Sequence, residues 1–96
     1  MVTAIILINV VQGRVQEVAE TLSRLPGIAE VYSVAGNFDL VAIARVRHHD
    51  DLATLVANQL QNIPGIEATN TLVAFRAYSR RDLEAMWEIG FEEPAE

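Results

Sequence analysis

The sequence predicts a single α+β domain whose elements follow the order βαββαβ. A Pro-Gly-Ile motif, preceded by leucine or isoleucine, occurs twice, at residues 25–28 and 63–66. Each copy follows a segment with helical hydrophobic periodicity and precedes a β-branched segment. Between the copies, the stretch SVAGNFDLV at residues 33–41 sets Gly-Asn-Phe-Asp between two apolar runs, as a β-hairpin does. These observations indicate two βαβ-like halves joined by a tight hairpin.

The first strand is predicted at residues 4–11, where AIILINVV is apolar except for one asparagine. Both helices are predicted from apolar residues that recur on one helical face. These residues are Val15, Val18, Ala19, Leu22 and Leu25 in the first helix, and Leu52, Leu55, Val56, Leu60 and Ile63 in the second. In each motif copy, proline ends the helix and glycine allows the chain to reverse into the next strand.

The remaining strands are predicted at residues 31–35, 39–47 and 69–77, and a short C-terminal helix at residues 80–89. This order is that of the ferredoxin-like fold, because right-handed crossovers place both helices on one face of an antiparallel four-stranded sheet. We therefore expect one domain at residues 1–79, followed by a C-terminal helix and tail at residues 80–96.

The sheet face that the helices leave open is predicted to be apolar. By strand alternation, Ile5, Leu7 and Asn9 point one way, whereas Ile6, Ile8 and Val10 point the other. Soluble monomers rarely expose a large apolar face, so we expect two copies to stack sheet to sheet as a dimeric α+β sandwich, with higher assembly from there. In the terminal segment, Met86, Trp87 and Phe91 fit either a contact between protomers or packing on the domain itself.

The charge balance argues against direct binding of nucleic acid. The chain has seven basic residues against thirteen acidic ones and a net charge of −6, whereas nucleic-acid binding depends on Lys and Arg that neutralise phosphates. The absence of cysteine excludes disulfides and Cys-based zinc sites. There is no signal-peptide pattern and no apolar run of the roughly 20 residues that span a bilayer. We expect a cytoplasmic protein that does not bind membranes.

Metal-binding and catalytic patterns are sparse. The stretch His48-His49-Asp50-Asp51 contains metal-ligand residue types, but adjacent side chains diverge, and Asp50 or Asp51 is well placed to cap the following helix. The sequence has no cysteine and no Gly-x-Ser-x-Gly element, so it offers no nucleophile motif. We expect no catalytic residue, no metal and no cofactor.

The Gly-Asn-Phe-Asp connection has two interpretations. It can be a plain turn, in which Gly36 or Asn37 adopts positive φ and Asp39 accepts hydrogen bonds from the turn's own amides. It can also be a binding site, because exposed amides around a glycine attract a carboxylate while Asp39 offers a negative charge to an ammonium group. A small zwitterion needs that pair of opposite groups. The residues alone leave both interpretations open.

Residues 31–46 resemble the Lrp/AsnC family of bacterial and archaeal regulators, because residues 36–39 match the family's Gly-x-Tyr-Asp signature. The second motif copy and the following Ala-Thr-Asn-Thr-Leu-Val match that family's final strand, which typically carries Thr-x-Thr. The match runs over residues 4–77 and covers the family's effector domain, known as the RAM domain. The resemblance implies a ferredoxin-like unit that dimerises through its sheets and assembles further into rings.

In that family, amino acids or related small effectors bind between dimers, near the signature loop. Carried over residue by residue, the resemblance implies a ligand-binding set of Gly36, Asn37 and Asp39, with the adjacent Val34, Ala35 and Leu40 and the hydroxyls of Thr69 and Thr71. Phe38 stands where the family usually has tyrosine, so no tyrosine hydroxyl is available at that position.

The resemblance implies a non-enzymatic regulatory module that binds an amino acid or a related effector. Full-length family members carry an N-terminal helix-turn-helix domain, whereas the first strand here begins almost at Met1. We therefore expect a stand-alone RAM protein that acts through ligand-linked assembly or association with full-length relatives. Two alternatives stay open. A dimeric α+β barrel enzyme would line its open sheet face with polar groups, for which only Asn9 and Arg45 qualify. A ligand-free structural partner would need no site.

Overall fold

The computed structural model describes residues 1–78 and 80 and shows the ferredoxin-like βαββαβ fold that the sequence predicts. Four strands, β1 (Val2–Val10), β2 (Ile28–Ser33), β3 (Leu40–Val46) and β4 (Ile66–Ala74), form one sheet in the order β2-β3-β1-β4. Every neighbouring pair is antiparallel. The predicted terminal helix lies, except for Arg80, outside the described residues, as do Met86, Trp87 and Phe91.

The helical layer covers one face of the sheet. Helix α1 spans Val15–Ser23, and the second helical segment consists of α2 (His49–Thr54), a π-helical turn (Leu55–Gln59) and a 3₁₀ turn (Leu60–Asn62). The predicted second helix is confirmed, although apolar spacing did not reveal the local change in backbone hydrogen bonding within it. Within the described part of the chain, no helix is long and apolar enough to cross a membrane.

The core lies between the helices and the even-numbered residues of β1 and β3. Ile6, Ile8 and Leu40 are completely buried, as is Leu22 of α1. No polar or charged residue is buried among the described ones. The cross-strand register places Ile5 opposite Ile43 and Leu7 opposite Val41 on the other face. The predicted split of β1 into two apolar faces is confirmed, and only one of those faces is covered by helices.

The two Pro-Gly turns occupy equivalent places in the two halves of the fold. Gly27 and Gly65 adopt φ of 95° and 100°, which favours glycine. The carbonyl of Gly27 accepts a 2.8 Å hydrogen bond from the Arg45 amide at the end of β3, and the carbonyl of Gly65 accepts one of 2.8 Å from the Val11 amide after β1. Each turn thus ties the start of one strand to the end of its neighbour in the other half.

Strand boundaries differ from the predicted ones by as many as three residues. β2 begins at Ile28, since Ile28 pairs with Ala44 before a bulge shifts the register at Glu30. β4 begins at Ile66, which pairs with Val10 directly after the Pro-Gly turn, and ends at Ala74. The start of α2 also differs from the prediction that Asp50 or Asp51 is its cap. His48 is the N-cap residue, and the side chain of Asp51, at the third helical position, accepts a 3.3 Å hydrogen bond from the His48 amide.

Candidate functional site

The connection between β2 and β3 is an exposed loop whose ends are held by backbone hydrogen bonds. The Val34 amide donates to the Asp39 carbonyl at 3.1 Å, and the Asp39 amide donates to the Ile8 carbonyl of β1 at 3.0 Å. Gly36 carries the left-handed conformation at φ 133°, and no heavy atom lies within 4 Å of the position that a Cβ would take there. Val34, Ala35, Gly36 and Asn37 are exposed. The backbone at Gly36 is therefore open to a ligand.

The carboxylate of Asp39 ties this loop to the end of β1. Its Oδ2 accepts a 2.8 Å hydrogen bond from the Val10 amide, across 29 residues of sequence. In the plain-turn interpretation Asp39 accepts from the turn's own amides, whereas in the structure its side chain points toward β1. No other described residue donates a hydrogen bond to the carboxylate. A partly buried negative charge is thus held at a fixed place at the end of β1, three residues along the chain from Gly36.

The other predicted site residues occupy three different environments. Leu40 has 0% exposure, so its side chain packs in the core rather than facing the loop surface. Thr69 and Thr71 of β4 pair with Ile8 and Ile6 on the far side of β1 from the loop, and both are half-buried. Two strand spacings separate Thr69 from Asp39, which is roughly 10 Å. A single subunit does not bring the threonines into contact with the loop.

A polar group lies on the open face of the sheet, and it joins Arg45, which the sequence pointed to, with Tyr32 and Glu30, which sequence reasoning missed. Tyr32 donates a 2.7 Å hydrogen bond to Glu30 Oε2, and Arg45 Nη1 lies 3.6 Å from Glu30 Oε1. The hydrogen bond from Tyr32, together with the negative charge of Glu30, raises the pKa of the tyrosine above its ordinary value. No local motif marks this group, because strand pairing brings Arg45 beside Glu30.

The His48–Asp51 stretch does not gather metal ligands in the structure. Within residues 1–78 and 80, no three His, Asp or Glu side chains come together in a way that could hold a metal ion. The Asp51 carboxylate serves the start of α2 instead, as the hydrogen bond from the His48 amide shows.

A cavity of about 360 Å³ lies at the opposite end of the sheet from the loop. It is bordered by Gly27, Arg47 and Gln59, and by Asp51 and Thr54 of α2. Sequence reasoning assigned the Pro-Gly turn to chain reversal alone and gave no signal for this cavity.

Known proteins resemble this chain over most of its length. A family model described as the Lrp/AsnC ligand binding domain matches residues 3–83. The HTH-type transcriptional regulator FL11 of Pyrococcus horikoshii is 33% identical over 75 residues, which are 78% of this chain and 49% of that protein. The chain spans about half the length of the curated relatives it matches.

Solved structures show the same fold. TTHA0845 from Thermus thermophilus superimposes with a TM-score of 0.78 and 45% identity, covering 83% of this chain and 100% of that chain. The transcriptional regulator NMB0573 of Neisseria meningitidis, solved as a complex with L-Met, gives a TM-score of 0.74 over 82% of this chain and 53% of that one. Its identity of 14% supports a common fold alone. The family model, which matches most of the sequence, shows that the chain belongs to the Lrp/AsnC ligand-binding domain family.

Proposed function

We propose that this chain is a non-enzymatic regulatory module that binds an amino acid or a related small effector at the loop of residues 34–39. The observation that carries the proposal is the geometry of Asp39, whose carboxylate is fixed by the Val10 amide at the base of the loop that exposes the backbone of Gly36. The carboxylate offers an anchor for an ammonium group, and the open amides offer one for a carboxylate. Membership of a ligand-binding domain family supports a binding role over catalysis.

The ligand site is completed by further copies of the chain. Thr69 and Thr71 lie across β1 from Asp39, so a small ligand on one subunit does not reach both groups. We propose that Val34, Ala35, Gly36, Asn37 and Asp39 contact the effector from one subunit, while Thr69 and Thr71 meet it through a neighbouring one. This arrangement requires a homodimer that assembles into a ring.

The regulatory output follows from the different ligand affinities of the assembly states. A ligand that binds across an interface stabilises the state in which that interface is closed. The related FL11 protein is named as an HTH-type transcriptional regulator. We propose that this domain acts in the cytoplasm, by changing its own assembly or by associating with full-length regulators, without contacting nucleic acid itself. The net charge of −6 supports the proposal that the domain does not contact nucleic acid itself.

Thermal-shift screening of the full chain against the twenty amino acids tests the proposed site, with L-Met as the first compound. A ligand at a concentration one hundred times its dissociation constant should raise the free energy of unfolding by about 2.7 kcal/mol. The Asp39→Asn variant keeps an oxygen that accepts from Val10 but loses the negative charge, so its ligand-induced shift should disappear.

The matched control is Asp50→Asn, which removes a charge from an exposed residue of α2. The ligand-induced thermal shift of this variant should equal that of the unmodified protein. An unchanged ligand-induced shift in Asp39→Asn would show that Asp39 only accepts from the Val10 amide, and no shift with any amino acid would favour the ligand-free structural role.

A further inference from the structure

The open face of the sheet carries one pair of opposite charges. The four strands contain three charged residues, Glu30, Arg45 and Glu67. Glu67 has no cross-strand partner, because it lies where the register of β4 shifts. Glu30 pairs with Ile43, which lies on the open face. Arg45 pairs with Thr3 on the same face. The paired strand residues of this face therefore sum to zero charge, although the whole chain carries −6.

Both carboxylate oxygens of Glu30 are engaged within the subunit. The Tyr32 hydroxyl donates to Oε2 at 2.7 Å, and Arg45 Nη1 lies 3.6 Å from Oε1. The side chains of Glu30 and Arg45 are each 47% exposed. An ion pair in contact with water contributes little to stability, because the solvent screens its charges. The fold of the single subunit therefore does not depend on this pair.

The pair adjoins the apolar row of the open face. Glu30 stands at one end of a cross-strand row that continues through Ile43, Ile5 and Leu72. A second copy that covers this row also removes water from the side chains beside it. The attraction between the two charges is then less screened, and a charge without its partner becomes costly to cover. The pair therefore matters more in an assembly than in the single subunit.

The charge balance of the face favours a second copy as its occupant. Two copies, each with a net charge of −6, repel one another, so the surface that joins them should add no charge of its own. The pairing of Glu30 with Arg45 meets this condition. A strongly acidic or strongly basic partner would find no net charge of opposite sign on the paired strand residues.

We propose that Glu30 and Arg45, with Tyr32 holding the carboxylate, are specificity-determining residues of the interface between two copies. The apolar row supplies the affinity, and the pair admits a second copy only while its two charges neutralise each other. The inference rests on the homodimer proposed above and names the residues that select its partner surface.

A double-mutant cycle on the full chain, followed by sedimentation equilibrium, tests the proposal. Glu30→Gln and Arg45→Met each leave one charge unpaired, so each should raise the dissociation constant of the dimer by at least about tenfold. The double variant carries neither charge, and its dissociation constant should return to within about threefold of the unmodified value. The matched controls, Glu20→Gln and Arg24→Met, change the same charges on the helical layer and should have no effect.

The possible results distinguish this inference from the proposed function. Single variants that dimerise as tightly as the unmodified chain would overturn the inference and leave the homodimer standing. Losses that add in the double variant would also overturn it, because they would indicate two independent contacts rather than a pair. An unmodified chain that stays monomeric would contradict the homodimer and the inference together. The thermal-shift screen tests the effector loop independently of all these results.

Discussion

At the scale of single residues, Asp39 combines a structural contact with a free charge. Its Oδ2 accepts the Val10 amide at 2.8 Å, so the carboxylate fastens the β2–β3 connection to the last residue of β1. A hydrogen bond to an ionised acceptor contributes about 1.5–3 kcal/mol, more than a neutral one. The fold therefore holds Asp39 in place whether or not a ligand is bound.

Substitution separates the two roles of Asp39. Asp39→Ala removes the acceptor and leaves the Val10 amide unpaired, so the free energy of unfolding should fall by about 1–3 kcal/mol. Asp39→Asn retains an acceptor oxygen and should lose about 1 kcal/mol or less. Urea denaturation measures both. Equal losses in the two variants would contradict the importance of the Val10 hydrogen bond.

Tyr32 and Glu30 give a pH-dependent prediction. The hydrogen bond from Tyr32 and the charge of Glu30 favour the protonated phenol, so the pKa of Tyr32 is raised in the folded state. The stability that this pair contributes should be complete below the unfolded tyrosine pKa, about 10, and should be lost as the pH rises through the folded value.

An NMR titration of the Tyr32 ring should show that Glu30→Gln lowers its pKa toward the ordinary value. The same titration on Glu67→Gln, which alters an exposed residue of β4, provides the control. Identical Tyr32 titration curves in the unmodified protein and Glu30→Gln would show that the hydrogen bond has no such effect.

These residue contacts mark the limit of what the sequence could predict. Gly36 or Asn37 was expected to carry positive φ, and Gly36 does. The partner of Asp39 was not predictable, since Val10 lies 29 residues away and only the sheet brings the two together.

At the scale of elements, the repeated Pro-Gly turns organise the fold as two equivalent halves. Helix α1 packs directly on the second turn, because a Cβ at Gly65 would lie 3.0 Å from Val18 Cγ2. Glycine is thus required there for two reasons, its φ of 100° and its lack of a side chain.

Gly65→Ala should therefore destabilise the protein more than Gly13→Ala does. Gly13 also has positive φ, 86°, but nothing lies within 4 Å of its Cβ position. Alanine in the left-handed region costs about 1–2 kcal/mol at either position. Overpacking against Val18 should add at least about 1 kcal/mol at Gly65. Equal losses for the two variants in urea denaturation would contradict the close packing of the turn.

Elements were predictable where a whole face is apolar, and less so at their ends. The alternation of Ile5, Ile6, Leu7 and Ile8 correctly separated the two faces of β1, because strand period is independent of tertiary contacts. The start of β2 was predicted at residue 31, because Ile28 was assigned to the Pro-Gly motif. In the structure Ile28 pairs with Ala44 and begins the strand. Pairing partners, rather than local composition, decide where a strand begins.

At the scale of the whole molecule, the sheet has one face without a helical cover. It carries an apolar row in which Ile5 lies between Ile43 and Leu72, and Leu7 lies between Val41 and the polar Asn70. Leu72 is 47% exposed in the single subunit. Covering this face with a second copy removes the apolar area from water, which is the main driving force for such association.

Leu72→Lys should weaken the proposed dimer by at least about tenfold, because it places an unpaired charge on the open face, beside Ile5 of the neighbouring strand. Val73→Lys is the matched control. Val73 is the next residue of β4 and is 41% exposed, but it pairs with buried Ala4 on the helical side. Sedimentation equilibrium compares the two variants. Equal dissociation constants would show that the open face does not mediate assembly.

The most direct test of the account is sedimentation velocity of the unmodified 96-residue chain at micromolar concentration. An open apolar sheet face that is covered by another copy, and an effector site completed between copies, both require assembly. We expect a species with at least twice the mass of one chain. A single species with the mass of one chain across the micromolar range would contradict the account.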